Sequence, residues 1–394
     1  MFGAIYVGLS GLNAYSKGLQ QVSNNVANLN SSGFKSSTVS FTDLVSANGT
    51  GGLSFSGGEA PAGNGVHLGE TTLNLSQGEL RQTDRDLDLA IDGSGFLVLM
   101  RDDQLYYVRT GSFQVDKEGY IVLAGTDYRL ATLDSSGRAV TLSIDSARTS
   151  SPKETTTIKF ADNLSSTATS FSLADLRVYD SSGKEHVWQI QFTKKADGGP
   201  DEWTVKVTDG TGATIGEQTL KFSQGLVDPI ANKLVFENGS ADLSVTLDFS
   251  QGVTSFSSGQ VSTLRAASID GHKLGTITTV HVNEAGQLEI AYSNEQKEQL
   301  GPIAIADFRD PQALEQRSGG LFVDARGLAQ RELLTSQDSR VGRVLSRRLE
   351  ASNVDLAKQF GDLILIQRGF QASSQIISVS NDMIQQLFGI RGQG

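Results

Sequence analysis

The sequence predicts a mainly β protein with α-helical termini. Two β-rich domains of sandwich or barrel type are expected, the second inserted in the first, with N- and C-terminal helices pairing as a coiled-coil-like layer. Three observations carry this reading. Apolar residues recur every seven positions at both ends of the chain, they alternate with polar residues through its middle, and glycine-rich or polar stretches separate the two textures. The implied plan is helix, connector, domain, inserted domain, domain, connector, helix.

The N-terminal helix is expected over residues 1–30. Ile5, Leu12, Leu19 and Val26 repeat at seven-residue intervals, with Tyr15, Val22 and Leu29 as a flanking row. The stretch from Asn28 to Gly33 is rich in residues that favour turns and should end it. Residues 31–70 read as an extended, irregular connector, because Gly49, Gly51, Gly52, Gly57, Gly58, Gly63 and Gly65 do not support a packed element. A first β domain is expected over 71–147 and 270–325. There Leu87, Leu89 and Ile91 alternate with polar or small residues, and an apolar run from Phe96 to Met100 follows the turn Asp92-Gly93-Ser94-Gly95. The polar stretch from Ser146 to Pro152 reads as a hinge into an inserted β domain over 148–269. Its strands are marked by Trp188, Ile190 and Phe192, by Trp203, Val205 and Val207, and by Leu243, Val245, Leu247 and Phe249. Residues 326–350 read as a polar return connector.

The clearest repeat lies at the C-terminus, expected to be helical over 351–390. Leu356, Leu363, Phe370, Ile377 and Ile384 are spaced by sevens, and Ile376, Met383 and Leu387 widen the stripe. Ser352 and Asp355 stand at capping-box spacing before it and Gly389 follows it, so the helix would span about 55 Å at 1.5 Å per residue. Both helices carry neutral polar faces: Ser16, Gln20, Ser23 and Asn24 at one end, Gln367, Gln371, Ser374 and Asn381 at the other. Solvated helices ordinarily use Lys and Glu pairs, so these faces suit contact with other helices or a lumen. Two readings stay open: a helix pair closing a single domain, and helices packing against further copies.

Composition narrows the function. A net charge of −11 disfavours nucleic acid and anionic membranes, which require basic patches. The absence of cysteine removes thiolate catalysis, disulfides and cysteine-bound zinc. With Lys17 as the first lysine and Gly, Ser and Asn interrupting its apolar residues, the N-terminus reads as neither a secretory signal nor a membrane span. Asp84, Asp86 and Asp88 alternate along a strand and read as a solvated row, not as an acid and base pair in a cleft. Gly93-Ser94-Gly95 lacks the remainder of a dinucleotide fingerprint. His67, His186, His272 and His281 lack metal-ligand spacing, and the two Trp rows read as core. No catalytic, cofactor-binding or metal residue is expected.

Four segments resemble the axial family of bacterial flagellar rod and hook proteins. NNVANLNSSGFK, Asn24 to Lys35, resembles its N-terminal signature through Asn24, Asn25, Ala27, Asn28, Gly33 and Phe34. GELRQTDRDLDLAIDGSGFLVL resembles its common β segment. YSNEQKEQLGPIAIADF, Tyr292 to Phe308, is similar to a segment typical of the hook, and the stretch from Leu349 to Leu387 resembles the family's C-terminal signature. The resemblance covers both ends and the first β domain; the inserted domain matches nothing of comparable specificity. It implies a structural subunit that forms a helical homopolymer, with no enzyme activity and no cofactor. The terminal helices would line an inner tube, with Ile5, Leu12, Leu19, Val22, Val26, Leu29, Leu356, Leu363, Phe370, Ile377 and Ile384 at its assembly interface. An inserted domain favours the hook, a short curved tube acting as a universal joint between rod and filament, over the alternative of a distal rod subunit; a secreted adhesin or glycan-binding module is the alternative of another class. Partners implied are further copies, the distal rod protein, the hook-filament junction protein, the hook cap scaffold and the flagellar type III export apparatus. The place implied is the hook, outside the cell after export.

Overall fold

A computed structural model describes residues 2–45, 63–195, 202–239 and 242–391. The chain divides into two compact units, the first formed by Met1–Asp145, Val280–Glu289 and Gln299–Gly394, the second by Ser146–Thr279 and Ile290–Glu298. Residues 270–279, expected to return to the first β domain, thus belong to the second unit.

In the first unit, helix α1 is Phe2–Ala27 and helix α2 is Leu356–Arg391. The C-terminal helix begins at Leu356, the first residue of its apolar stripe and not at the expected 351; residues 351–355 are non-helical and follow the strand Arg348–Glu350, which pairs antiparallel with Leu80–Gln82. Asp355 caps it, its Oδ1 accepting from the Lys358 N–H at 3.1 Å. Ser352 accepts instead from Val354, and the helix continues past Gly389.

The expected connector over 31–70 is instead largely a hairpin. Strand β1, Ser37–Val45, pairs antiparallel with strand β2, Gly63–Leu73, in a register running from Ser37 opposite Leu73 to Val45 opposite Gly63. Thr38, Val39, Phe41 and Thr42 supply the β-branched and aromatic content that a strand needs. Of the glycines that prompted the irregular reading, 49 to 58 lie outside the described residues, whereas Gly63 and Gly65 lie in β2.

A twelve-stranded sheet makes up the rest of this unit's core. Its strand Phe96–Arg101 pairs with Gln104–Val108, Arg129–Leu133 and Ile305–Phe308. Leu97 and Leu99 lie in one apolar cluster with Ile91, Phe113 and Val344, while Phe96 and Val98 lie in another with Tyr107, Phe308 and Phe322. Burial on both faces explains why this strand reads as an unbroken apolar run. The polar stretch over 326–350 also contributes strands: Arg331–Leu334 pairs with Ile305–Phe308, and Arg343–Ser346 with Asp88–Asp92.

The second unit holds a ten-stranded sheet. Ser170–Tyr179, Glu185–Lys194, Glu202–Asp209 and Thr214–Ser223 form an antiparallel meander with Ile190 opposite Val207 and Phe192 opposite Val205. Thr157–Asn163 pairs in parallel with Leu243–Asp248 and Val253–Thr254, a departure from an all-antiparallel sandwich. The core holds Trp188, Trp203, Phe160 and Phe249 fully or almost fully buried, the two Phe rings stacked 4.6 Å apart.

Candidate assembly interface

The two helices run antiparallel, and their order of contact follows from which residues can approach closely. A Cβ added at Gly8 would lie 2.8 Å from Ile377 Cγ1, and one at Gly11 would lie 2.5 Å from Ser373 Oγ. Further along, Gly369 lies under the Tyr15 ring and Gly18 against Ile366 and Phe41. The pair closes at Asn25, whose Nδ2 donates to Gln359 Oε1 at 2.9 Å. On α1 the buried residues are therefore small or central: Gly8, Gly11, Ala14, Gly18, Val22 and Asn25. On α2 they form the seven-spaced row Gln359, Ile366, Ser373 and Ser380. Missing side chains let the two backbones come together, so the seam is made of glycine and serine with a few apolar contacts.

The predicted stripes are placed differently from a coiled-coil seam. Val22 is buried in the pair; Ile5, Leu12, Val26, Leu29, Leu363, Ile377 and Ile384 are half-buried; and Leu19, Leu356 and Phe370 are exposed. The seven-residue period thus identified helices correctly but not the face that joins them, because apolar periodicity does not report where side chains are absent. The spacing of Gly8, Gly11 and Gly18 was the signal that could have found that face.

Much apolar surface is left open. On α2, Ile376, Val379 and Met383 follow one another at helical spacing, Leu365 (71% exposed) lies about three turns earlier on the same side, and Phe360 and Ile364 are exposed as well. On α1, Tyr6 (61%) and Leu9 (59%) are similarly open. Exposed large apolar side chains aligned on one side of a helix suit an interaction surface. Leu387 carries the expected flanking row beyond the residues whose side chains are described.

The signature residues have a structural task at the end of α1. Asn25 is buried, donating to Ser37 O at 2.8 Å as well as to Gln359, while its Oδ1 accepts from the Ser37 N–H at 3.2 Å. Asn24 accepts from Asn28, and Asn28 accepts from Ser31, which winds up the helix end after Ala27. Gly33 adopts φ +70°, where a Cβ would press on Thr110, and donates its N–H to Glu350 O at 2.8 Å. Phe34 is buried and its carbonyl accepts from the Asn353 N–H. Asn353 in turn receives the Ser36 N–H at 2.8 Å and donates to the carbonyls of Asn74 and Ser76. The N- and C-terminal signatures therefore meet in space.

Asp86, Asp88 and His186, weighed for chemistry, have structural partners. Asp88 is buried, not solvated as its alternation suggested, because it accepts from Ser112 Oγ at 2.5 Å. Asp86 pairs with Arg347. His186 bonds Asp180 at 3.0 Å, and no group of three or more His, Asp or Glu suited to a metal occurs among the described residues. Among the same residues no helix is long and apolar enough to cross a membrane.

Comparison with known proteins matches four family profiles in chain order. Residues 5–35 match the flagella basal body rod protein, 90–163 the flagellar hook protein FlgE/F/G D1 domain, 143–272 the flagellar basal body protein FlaE D2 domain, and 345–390 the flagellar basal body rod FlgEFG protein C-terminal. The chain is 27% identical to flagellar hook protein FlgE of Treponema pallidum, covering 99% of this chain and 100% of that one. It is 28% identical to the proteins of the same name from Salmonella typhimurium and Escherichia coli, in each case over 97% of this chain and 98% of the relative. A crystal structure of Helicobacter pylori flagellar hook protein FlgE2 overlays with a TM-score of 0.49 at 13% identity, covering 69% of this chain and 99% of that one.

Proposed function

We infer that this chain is a member of the flagellar hook protein family, within the wider group of flagellar rod and hook proteins, and a structural subunit of the bacterial flagellar hook, not an enzyme. It assembles with copies of itself, between rod and filament. The observation that carries the finer reading is the contrast on α2, where a glycine-serine seam is satisfied within the chain while Leu365, Ile376, Val379 and Met383 stay open. Copies of the chain would cover that surface and build an inner tube. The second unit, spanning the D2-like match, favours the hook over the distal rod.

In this reading the helices lock the tube while contacts among the β units stay polar and yielding, so that the tube bends as it turns and serves as a universal joint. The distal rod protein, a junction protein on the filament side and a cap scaffold would be its neighbours, and the flagellar type III export apparatus its route outside. Electron microscopy of polymer grown from purified protein tests the reading. A curved tube is expected; a straight one would favour the rod, and the absence of any tube would remove the polymer reading. Deletion of 148–269 with a short Gly-Ser bridge should leave a tube that no longer curves correctly.

A further inference from the structure

Where the two helix roots meet the sheet, the first unit buries three charges. Glu350 is fully buried and lies six residues before α2; Lys35, fully buried too, lies eight residues after α1; Arg109 leads into the strand Thr110–Val115. Lys35 Nζ donates to Glu350 Oε1 at 2.5 Å, and Arg109 Nε donates to Oε2 at 3.2 Å. The Gly78 N–H adds a bond to Oε1 at 2.8 Å. Lys35 also donates to Ser76 O at 2.7 Å, while Arg109 donates to the carbonyls of Gly93, at 2.6 Å, and Gly95. Among the described residues, Glu350 is the carboxylate that both cations pair with.

Such a cluster is a poor source of net stability, since desolvating three charges costs about as much as their attraction returns, yet losing one partner leaves an uncompensated charge inside. The surplus is positive. Burial pushes the Lys35 ammonium below its ordinary pKa, Glu350 opposes that shift, and Arg109 adds to it. We propose that Lys35, Glu350 and Arg109 form a latch that holds the roots of both terminal helices to the sheet, so that the helices dock only once the sheet is folded. Bonds from Gly33 to Glu350 O, from Glu350 N–H to Thr110 Oγ1 and from Ala351 to Glu79 O would close with it. This stands on the single chain and does not depend on polymer assembly.

Amide hydrogen exchange on the full-length monomer tests it at Gly33, Gly78 and Ala351, with Leu97, Leu99 and Ile190 as strand controls. In the parent these three amides exchange slowly. Glu350→Gln should accelerate them about a hundredfold with the controls unchanged, because two cations then share no anion. Lys35→Met, which keeps Glu350 with Arg109, should accelerate them about tenfold at most. The double variant Lys35→Met/Glu350→Gln should exchange about tenfold more slowly than Glu350→Gln alone, a rescue that lost packing would not produce. If Glu350→Gln fails to fold while the double variant folds, the latch is supported. Fast exchange in the parent, unchanged exchange in Glu350→Gln, equal acceleration of the controls, absence of rescue, or failure of both variants to fold would each overturn it.

Discussion

The helix pair and the core of the second unit bury their residues on opposite terms. In the second unit Trp188, Ile190, Phe192, Trp203, Val205 and Val207 are fully enclosed by the chain's own strands. In the helix pair the enclosed residues are chiefly glycine, alanine, serine, Asn25 and Gln359, while large apolar side chains remain outside. A domain that completes its core alone can fold and stand by itself. A helix pair that encloses its smallest residues and exposes its largest is complete only when something else covers it. Under the proposed function, the difference separates a folding core from an assembly surface within one chain.

Substitutions at the centre of each region should widen the contrast. Trp203→Ala removes one of the two largest enclosed side chains of the second unit and should cost about 3–5 kcal/mol there. Urea unfolding followed by Trp188 fluorescence should shift accordingly, with the helical circular dichroism of the chain unchanged. Gly11→Val attacks the seam in the opposite way, by adding volume where a Cβ already meets Ser373. It should cost the helix pair about 1–3 kcal/mol and reduce helical signal, with the second unit's transition held. Asn25→Ala should cost about 1–2 kcal/mol, since it leaves Gln359 and the Ser37 backbone without their buried partner. Exchange at the Ser37 amide is the readout.

How much of this was legible in the sequence follows the same division. Strands Glu185–Lys194, Glu202–Asp209 and Leu243–Asp248 were marked by period-two alternation, because each has one enclosed face. The helices were marked by their apolar period. Their joining face was not, since a glycine seam adds nothing to a hydrophobic pattern. Nor was the β1–β2 hairpin, whose strands flank a glycine-rich stretch, nor Arg331–Leu334 and Arg343–Ser346, which are short and carry polar ends. The ion triad was beyond reach of local reading because Lys35 and Arg109 lie 315 and 241 residues from Glu350.

The smallest effect concerns hairpin turns in both units. Asp134 is held down to about 2 by hydrogen bonds from the Ser136 hydroxyl and the Arg138 N–H, Asp180 lies well below the carboxylate range through Ser182 and His186, and Asp209 is lowered through Thr211 and Ala213. Lowered folded values mean that the unfolded chain takes up protons first. The turns' contribution is therefore full above about pH 4 and declines as pH falls toward the folded values. Melting from pH 5 to pH 2 should show a shallower acid decline in Asp180→Ala than in the parent. An unchanged slope would remove these turns from the acid response.

The open face of α2 is the centre of the account. Ile377 does not isolate it, because that side chain already packs at Gly8 within the chain. Leu365 does. Leu365→Asp places a carboxylate on solvent-facing helix in the monomer, so both units should melt as in the parent, yet assembly would bury that charge in every copy. Sedimentation of polymer, measured beside the melting of each monomer and with Gln371→Ser as the polar-side control, decides the matter. Severe loss of sedimentable polymer is expected for Leu365→Asp, near-parental yield for Gln371→Ser and unchanged melting for both. Normal polymer from Leu365→Asp would contradict it, as would a monomer whose sheets melt early.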